Sequence, residues 1–338
     1  MDKHFFRLTG RGKEIKVPCG RIDGKLVLVL GKWLRIASIH DEEWTEGQLV
    51  TDPEAFVDAI KQPGLTADLL TFTQKLPDTT PRHPYHIEWD NVAAIQLTSF
   101  DDWWENQLPQ ESRKNVRRAG RRGVVVRQAT LDDELIRGIT AIYNETPFRQ
   151  GKRFPHYGKS FEVVKKEVST LMDHSEFLGA YYQDELVGFI KLVFMGKIAS
   201  VLHINSKNAH YDKRPSNALL AKAVEICAAR GITHLLYGRY TYGNKTDSPL
   251  AEFKRRNGFQ EIPIARYYIP LTLWGRIAIR FRLYRGLLGM LPSRLVVFLA
   301  NARAPFFRHA PLPSKSVPKP AAAASEAKAA EETAQNAV

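Results

Sequence analysis

Several sets of residues in this 338-residue chain have the types and spacing to move protons or hold anions. His203 sits in Val201-Leu202-His203-Ile204-Asn205, where strand alternation puts Val201, His203 and Asn205 on one face. An imidazole titrating near neutrality suits a general base there, although a hydrogen-bonded core histidine is the commoner outcome for a lone histidine in a strand. The stretch from Thr146 to Gly158 is dense in cations, aromatics and glycine and has no apolar period, so it reads as a loop. Arg149, Lys152 and Arg153 suit a phosphate or carboxylate, and Gln150, His156 and Tyr157 complete a candidate substrate-binding set; an exposed basic loop is the plainer alternative. Tyr237, Arg239, Tyr240 and Tyr242 form a polar aromatic rim at a strand end, with Tyr240 the candidate substrate contact, and core packing explains them equally well. On charge alone, Lys254 in Lys254-Arg255-Arg256 reads as part of a solvated helix face. His86 and Glu88 alternate on a strand with no third ligand in view, so no metal site is assigned. The sequence supports no Walker loop, nucleophile elbow or Ser/His/Asp arrangement.

The elements that must position these residues belong to an ordinary globular chain, 44% apolar and 25% charged, which excludes wholesale disorder. No apolar run is long enough to span a bilayer, and the start lacks the apolar centre of a secretion signal. Two cysteines in no paired motif, Cys19 and Cys227, exclude a disulfide framework or zinc knuckle and suit a cytoplasmic setting. The net charge of +13 is concentrated in two segments: seven cations and no acid between Ser112 and Arg127, and seven more with no acid between Leu273 and Ala310. Such single-sign fields attract phosphates on nucleic acid, lipid headgroups or a charged cofactor, or simply decorate a solvated helix.

Apolar periodicity divides the chain into mixed α/β halves. Lys25 to Ile39 reads as a hairpin, Asp52-Pro53-Glu54 opens a short helix, and Leu69 to Phe72 and Asn91 to Leu97 read as strands. A basic helix from Pro109 to Gly123 leads into a strand at Val124-Val125-Val126. Helices at 132–144 and 161–174, strands at 177–182, 186–195 and 198–205, and a helix at 217–230 follow. A strand at 234–240, a short helix at 249–257 and a last strand at 266–271 complete the order. Beyond Pro270, Leu273 to Leu291 is apolar nearly all round with arginines interspersed, which suits packing on the body or lying in a membrane interface with arginines reaching phosphates. From Pro311 to Val338 the chain is Pro/Ala/Lys/Glu-rich and is expected to be disordered.

The order β-α-α-β-β-β-α-β-α-β resembles the GNAT acyltransferase fold. Ser112-Arg113-Lys114-Asn115-Val116-Arg117-Arg118-Ala119 with Gly123-Val124-Val125-Val126, and Leu250 to Phe259 with its Phe253-Lys254 and Asn257-Gly258, are similar to FemAB-like proteins, which are built from two GNAT-like halves. The resemblance covers roughly residues 85–272 and, more loosely, the first eighty. It implies transfer of an acyl or aminoacyl group to an amine, from acyl-CoA or aminoacyl-tRNA, with Lys254 facing the cleft as a cation that stabilises the tetrahedral intermediate. Two departures stand out. The stretch matching the GNAT cofactor loop, Asp212-Lys213-Arg214-Pro215-Ser216-Asn217, has no glycine; Lys213 and Arg214 remain able to meet a phosphate and Ser216 or Asn217 to cap the helix, and simple capping is an equal alternative. Phe253 stands where many GNAT enzymes carry a tyrosine, which disfavours acetyl-CoA chemistry and favours the FemAB-like reading.

The expected architecture is therefore α/β, two tandem GNAT-like halves with mixed sheets and flanking helices. It comprises a degenerate half at 1–110, a half carrying the site at 111–272, a basic apolar helical segment at 273–310 and a tail at 311–338. The expected activity is that of a metal-free N-acyltransferase acting on a small amine or a cell-envelope precursor, with tRNA a possible donor carrier and the inner face of an anionic membrane a possible docking surface. The competing expectation is a catalytically silent adaptor that sits on the membrane through its basic C-terminal segment.

Overall fold

The protein is described by a computed structural model for residues 4–10, 13–61, 64–149, 151–241 and 248–285. Its N-terminal stretch is an antiparallel meander of β1 (His4–Gly10), β2 (Lys13–Ile22), β3 (Lys25–Leu30) and β4 (Ile36–Ile39). Helix α1 (Pro53–Lys61) then crosses over so that β5 (Leu69–Thr73) pairs parallel to β4. The long strand β6 (His86–Gln96) leads to a short helix α2 (Phe100–Asp102), whose last turn widens through Gln107, and to the basic helix α3 (Gln110–Arg121). Next come β7 (Val125–Ala129), α4 (Asp133–Asn144), a two-stranded ribbon of β8 (Phe148–Arg149) and β9 (Lys152–Arg153), and α5 (Phe161–Val168). A second meander, β10 (Ser175–Tyr182), β11 (Glu185–Met195) and β12 (Ile198–Ser206), precedes α6 (Pro215–Ala229), β13 (His234–Leu236), α7 (Pro249–Arg256), β14 (Gln260–Pro270) and α8 (Leu273–Arg280).

Twelve of these strands form one mixed sheet in the order β1-β2-β3-β4-β5-β14-β6-β13-β12-β11-β10-β7. Strand β14, late in the sequence, lies antiparallel between β5 and β6, and β6 pairs in turn with β13. The alternation of side chains along β10 and β11 explains the layers. Leu178, Ile190 and Leu192 pack against α6 and the α2–α3 region, whereas Phe177 and Phe189 face α4 and α5. A further core under α1 joins Val27, Val29, Leu70 and Phe72 to Ala265 and Tyr267 of β14.

Local signals set the helices. Asp132 accepts the Leu135 N–H at 2.8 Å and Ser248 accepts the Ala251 N–H at 3.1 Å, so α4 and α7 start at side-chain caps. Helix α6 has Pro215 in its first turn and buries Leu219, Leu220, Ala223, Val224 and Cys227, one face at helical spacing; truncating Leu219 to alanine would cost about 2–5 kcal/mol. The helix expected to run to His174 stops at Val168 because the Lys191 ammonium, reaching over from β11, takes the Val168 carbonyl at 2.8 Å and the Thr170 carbonyl. Strand β13 ends at Leu236, not at Tyr240, because the chain there changes partner, as described below. Residues 286–338, which include the expected tail and most of the basic C-terminal segment, lie outside the described residues.

Candidate active site

Strand β12 runs beside two neighbours but keeps only one. It pairs parallel with β13 through Ile198, Ala199 and Ser200 against His234, Leu235 and Leu236, and with β11 along its whole length. Beyond Leu236 the chain turns to β6: the Tyr237 N–H donates to the Ala93 carbonyl and the Ala93 N–H to the Gly238 carbonyl, each at 2.8 Å. Past Ser200, the backbone groups of β12 that point toward β13 therefore lose it as a ladder partner. In β12 itself, Lys191 pairs with His203 while its neighbour Leu192 pairs with Val201, which leaves Leu202 as an extra residue. Such a bulge bends and twists its strand, and here it sits where the two strands separate.

The bulge corrects one reading of the sequence. Directly paired residues share a face, so Val201 goes with Leu192 toward α6 while His203 and Asn205 go with Lys191 and Phe189 toward α4 and α5. Strict alternation had placed all three together, and one inserted residue separates Val201 from the other two.

The separation opens into a cavity of about 330 Å³. Ser200, Val201 and Leu202 form one side and Leu236 to Arg239 the other. The N-terminal stretch closes it with residues 42–45, 73–76 and 90–92, joined by Arg266 of β14. This wall is a chain of charges. The Arg266 guanidinium donates to Glu42 and lies 3.4 Å from Asp90, Arg239 donates to Asp90 at 2.8 Å, and the Thr73 hydroxyl donates to Glu42 at 2.8 Å. Burial pulls the Arg266 pKa down, but the charge and hydrogen bond of Glu42 outweigh it and hold the group above its ordinary value. The second Glu42 oxygen, Oε2, is buried without a hydrogen-bond partner among the described residues. Lys75 donates to the Thr45 carbonyl, and burial lowers its pKa to about 8.

Lys254 is fully buried. Helix α7 turns Ala251 and Lys254 inward at i and i+3. The ammonium donates to the Arg239 carbonyl at 2.5 Å and lies 4.8 Å from the centre of the Tyr237 ring, so it stands behind the strip that forms one side of the cavity. Desolvation lowers its pKa to about 8.

His203 occupies the opposite face of the sheet. Burial, reinforced by the charges of Lys191 and His156, lowers its pKa to about 4, so it is a neutral imidazole at physiological pH and a weak base. His156 stacks on Tyr143 with centroids 4.3 Å apart and approaches Lys159 at 3.0 Å, and burial lowers its pKa too. Arg149 ties its loop to the body by donating to the carbonyls of Ser206 at 3.0 Å and Ile142 at 2.7 Å, with Phe154 beneath its guanidinium at 4.1 Å. Lys152, Arg153 and Tyr157 are exposed on the same loop, and Gln150 lies outside the described residues. Tyr240 is half-buried against the α6 core, and Tyr242 lies outside the described residues.

At the start of α6, Arg214 adopts the left-handed conformation (φ 57°) that glycine would occupy without strain. Its guanidinium lies over Tyr211, and Lys213 lies over Tyr182. Ser216 bonds to Ser206 at 2.9 Å and Asn217 donates to Asn257 at 3.1 Å, while no side chain caps the backbone N–H groups at the start of α6. Among the described residues, no group of three or more His, Cys, Asp or Glu could hold a metal, and no helix is long and apolar enough to cross a membrane.

Sequence reasoning singled out neither the Leu202 bulge nor the Glu42–Arg266–Asp90 wall. Only Arg266 carried a signal, a cation alternating with Ala265 and Tyr267 in an otherwise apolar strand.

The sequence matches no protein-family model and no curated protein. Among solved structures the chain is similar to FemX, at TM-score 0.56 and 14% identity over 81% of this chain and 90% of that one. It also matches L-PGS from Bacillus licheniformis (TM-score 0.49, 14% identity, 79% of this chain and 87% of that one). A tandem GNAT protein from the clavulanic acid biosynthesis pathway matches at TM-score 0.41 and 11% identity, over 78% of this chain and 81% of that one. The chain has the fold of FemX.

Proposed function

We propose that this protein is an acyltransferase that moves an acyl or aminoacyl group onto an amine in the cavity where β12 and β13 separate. The observation that carries the reading is that separation, with the Leu202 bulge at its mouth. An activated carbonyl seated between the strands would meet backbone groups freed from the β13 ladder, which can donate to the oxyanion as the amine adds. The C–N bond forms, the bond to the thiol sulfur or ribose oxygen breaks, and the proton lost by the amine ends on that leaving sulfur or oxygen, giving an amide and a free thiol or hydroxyl. Glu42 and Asp90 line the same space already paired with Arg266 and Arg239, and the Glu42 Oε2, without a hydrogen-bond partner among the described residues, suits an N–H of the neutral amine held beside the carbonyl. Lys254, behind the Tyr237–Arg239 strip, sets the position of that strip and adds a positive field. His203, neutral and on the other face, belongs with the Arg149–His156 loop, whose exposed Lys152 and Arg153 suit a charged part of a substrate.

The donor reading follows from α6 and α3. The start of α6 has Pro215 and the left-handed Arg214 in place of a glycine loop, whereas α3 carries Lys114, Arg117, Arg118 and Arg121 on a polar helix. This favours aminoacyl-tRNA over acyl-CoA as the donor, and a small amine or an envelope precursor as the acceptor. The test offers labelled aminoacyl-tRNA and labelled acetyl-CoA in turn, with ethanolamine as a generic acceptor, to the native chain and to Ser200→Trp, which fills the cavity. Transfer from aminoacyl-tRNA by the native chain, lost in Ser200→Trp with tRNA retention unchanged, is the expected result. Transfer from neither donor, or equal transfer by both proteins, overturns the proposal.

A further inference from the structure

We infer that the turn between β3 and β4, together with α8, forms a docking surface for an anionic lipid membrane. The two segments are far apart in sequence but are held side by side. The Trp274 indole N–H donates to the Trp33 carbonyl at 3.0 Å. Beneath them, buried Asp68 receives the Arg35 guanidinium at 3.1 and 3.0 Å and the Thr272 hydroxyl at 3.1 Å, so one carboxylate ties the end of the turn to the cap of α8. Gly275 allows the helix to sit this close, since a Cβ there would stand 2.0 Å from the Asp68 carbonyl oxygen. The platform's one acid, Asp68, is buried and paired with Arg35.

What this platform presents outward is unusual for a surface in water. Trp33 is 90% exposed, Leu273 75% and Phe281 66%, with Leu30, Trp274 and Ile277 also exposed. On α8 the buried positions are Gly275 and Ala278. At about 100° per residue, Leu273, Trp274, Ile277 and Phe281 fall within a different sector about 100° wide, and Arg276 and Arg280 border it on the side away from the buried face. The helix thus has two apolar faces, one packed on the sheet and one exposed, its described contact with the β3–β4 turn being the Trp274–Trp33 hydrogen bond. Lys32 stands beside Trp33, Arg282 follows Phe281, and neither 30–35 nor 271–285 contains an acid. Exposed tryptophan, an apolar stripe and flanking cations with no acid match the boundary between acyl chains and phosphates, where the rings enter the apolar layer and the arginines reach headgroup oxygens. The charge pattern selects a negatively charged bilayer over a second copy of this chain, which would bring the same cations face to face. The inference is independent of the acyl-transfer reading, since it uses none of the cavity residues.

The experiment sediments the full chain with vesicles of phosphatidylcholine alone or mixed with phosphatidylglycerol. The native chain is expected to bind the mixed vesicles, with a blue shift in tryptophan emission and release by high salt. The surface variants Trp33→Ser with Phe281→Ser, and Arg276→Gln with Arg280→Gln, should each weaken binding about tenfold or more with the far-UV melting curve unchanged. Native-like binding by both pairs places the contact elsewhere in the chain and overturns the inference. So does indifference of the native chain to both vesicles, or a dimer in solution that the aromatic pair dissolves.

Discussion

Lys254 holds an ammonium group where water is scarce, and its protonation separates two roles. A folded-state pKa of about 8, against an ordinary value of 10.5, means that the folded chain binds fewer protons than the unfolded chain between those limits. Stability therefore rises with pH across that window, and the buried charge costs stability below it. If the cation behind the cavity wall aids transfer, the rate must do the opposite, holding below about 8 and falling as the proton is lost above it. Lys254→Met is accordingly expected to lower kcat by roughly 10²-fold at neutral pH, to abolish the decline near pH 8, and to leave the melting temperature unchanged or raised. A pH–rate profile and a thermal melt on the same preparation check this. A rate like the native one with a lowered melting temperature would make the lysine purely structural. The sequence pointed to Lys254 through its resemblance to a known helix, while its own surroundings, Arg255 and Arg256, suggested an exposed position. Burial is decided by the strip that α7 packs on, which local charge does not report.

At the scale of an element, β12 shows what a pattern of residue types can and cannot reveal. Its limits were legible, because Ile198 to Ile204 is a mostly apolar, β-branched-rich run of strand length bounded by Gly196-Lys197 and by Asn205. Its bulge was not. An extra residue is a property of a pair of strands, and only the register with β11 marks Leu202 as the one without a counterpart. The same holds for β13, where the run from His234 to Tyr240 is continuous in sequence but changes neighbour after Leu236. Deleting Leu202 should restore a regular β11–β12 ladder. The chain is expected to fold with near-native far-UV circular dichroism and with slower amide exchange from His203 to Ser206, while transfer falls at least about 10²-fold as the strand straightens and the cavity narrows. Native-level transfer by a folded deletion variant would remove the bulge from the mechanism.

The whole molecule depends on contacts that no local pattern shows. The α/β class and the element order of the second half follow from periodicity and caps, since each is written within a dozen neighbouring residues. The placement of β14 between β5 and β6 is not, because it joins Arg266 to Asp90, 176 residues away, and to Glu42, 224 residues away. That insertion makes the cavity wall and the sheet one cooperative object: the strand completing the N-terminal sheet also supplies the guanidinium that neutralises the carboxylates lining the site. Arg266→Met keeps most of the side-chain volume but leaves Glu42 and Asp90 as neighbouring charges in a largely buried place. It is expected to cost about 2–4 kcal/mol in urea unfolding, with much of that recovered by adding Glu42→Gln, because the penalty comes from the unpaired carboxylate more than from the lost ion pair. Native unfolding should be a single transition that superimposes when followed by tryptophan emission and by far-UV circular dichroism. Two separated transitions, or no recovery in the double variant, would mean that β14 is a replaceable edge and not the strand that couples the two stretches.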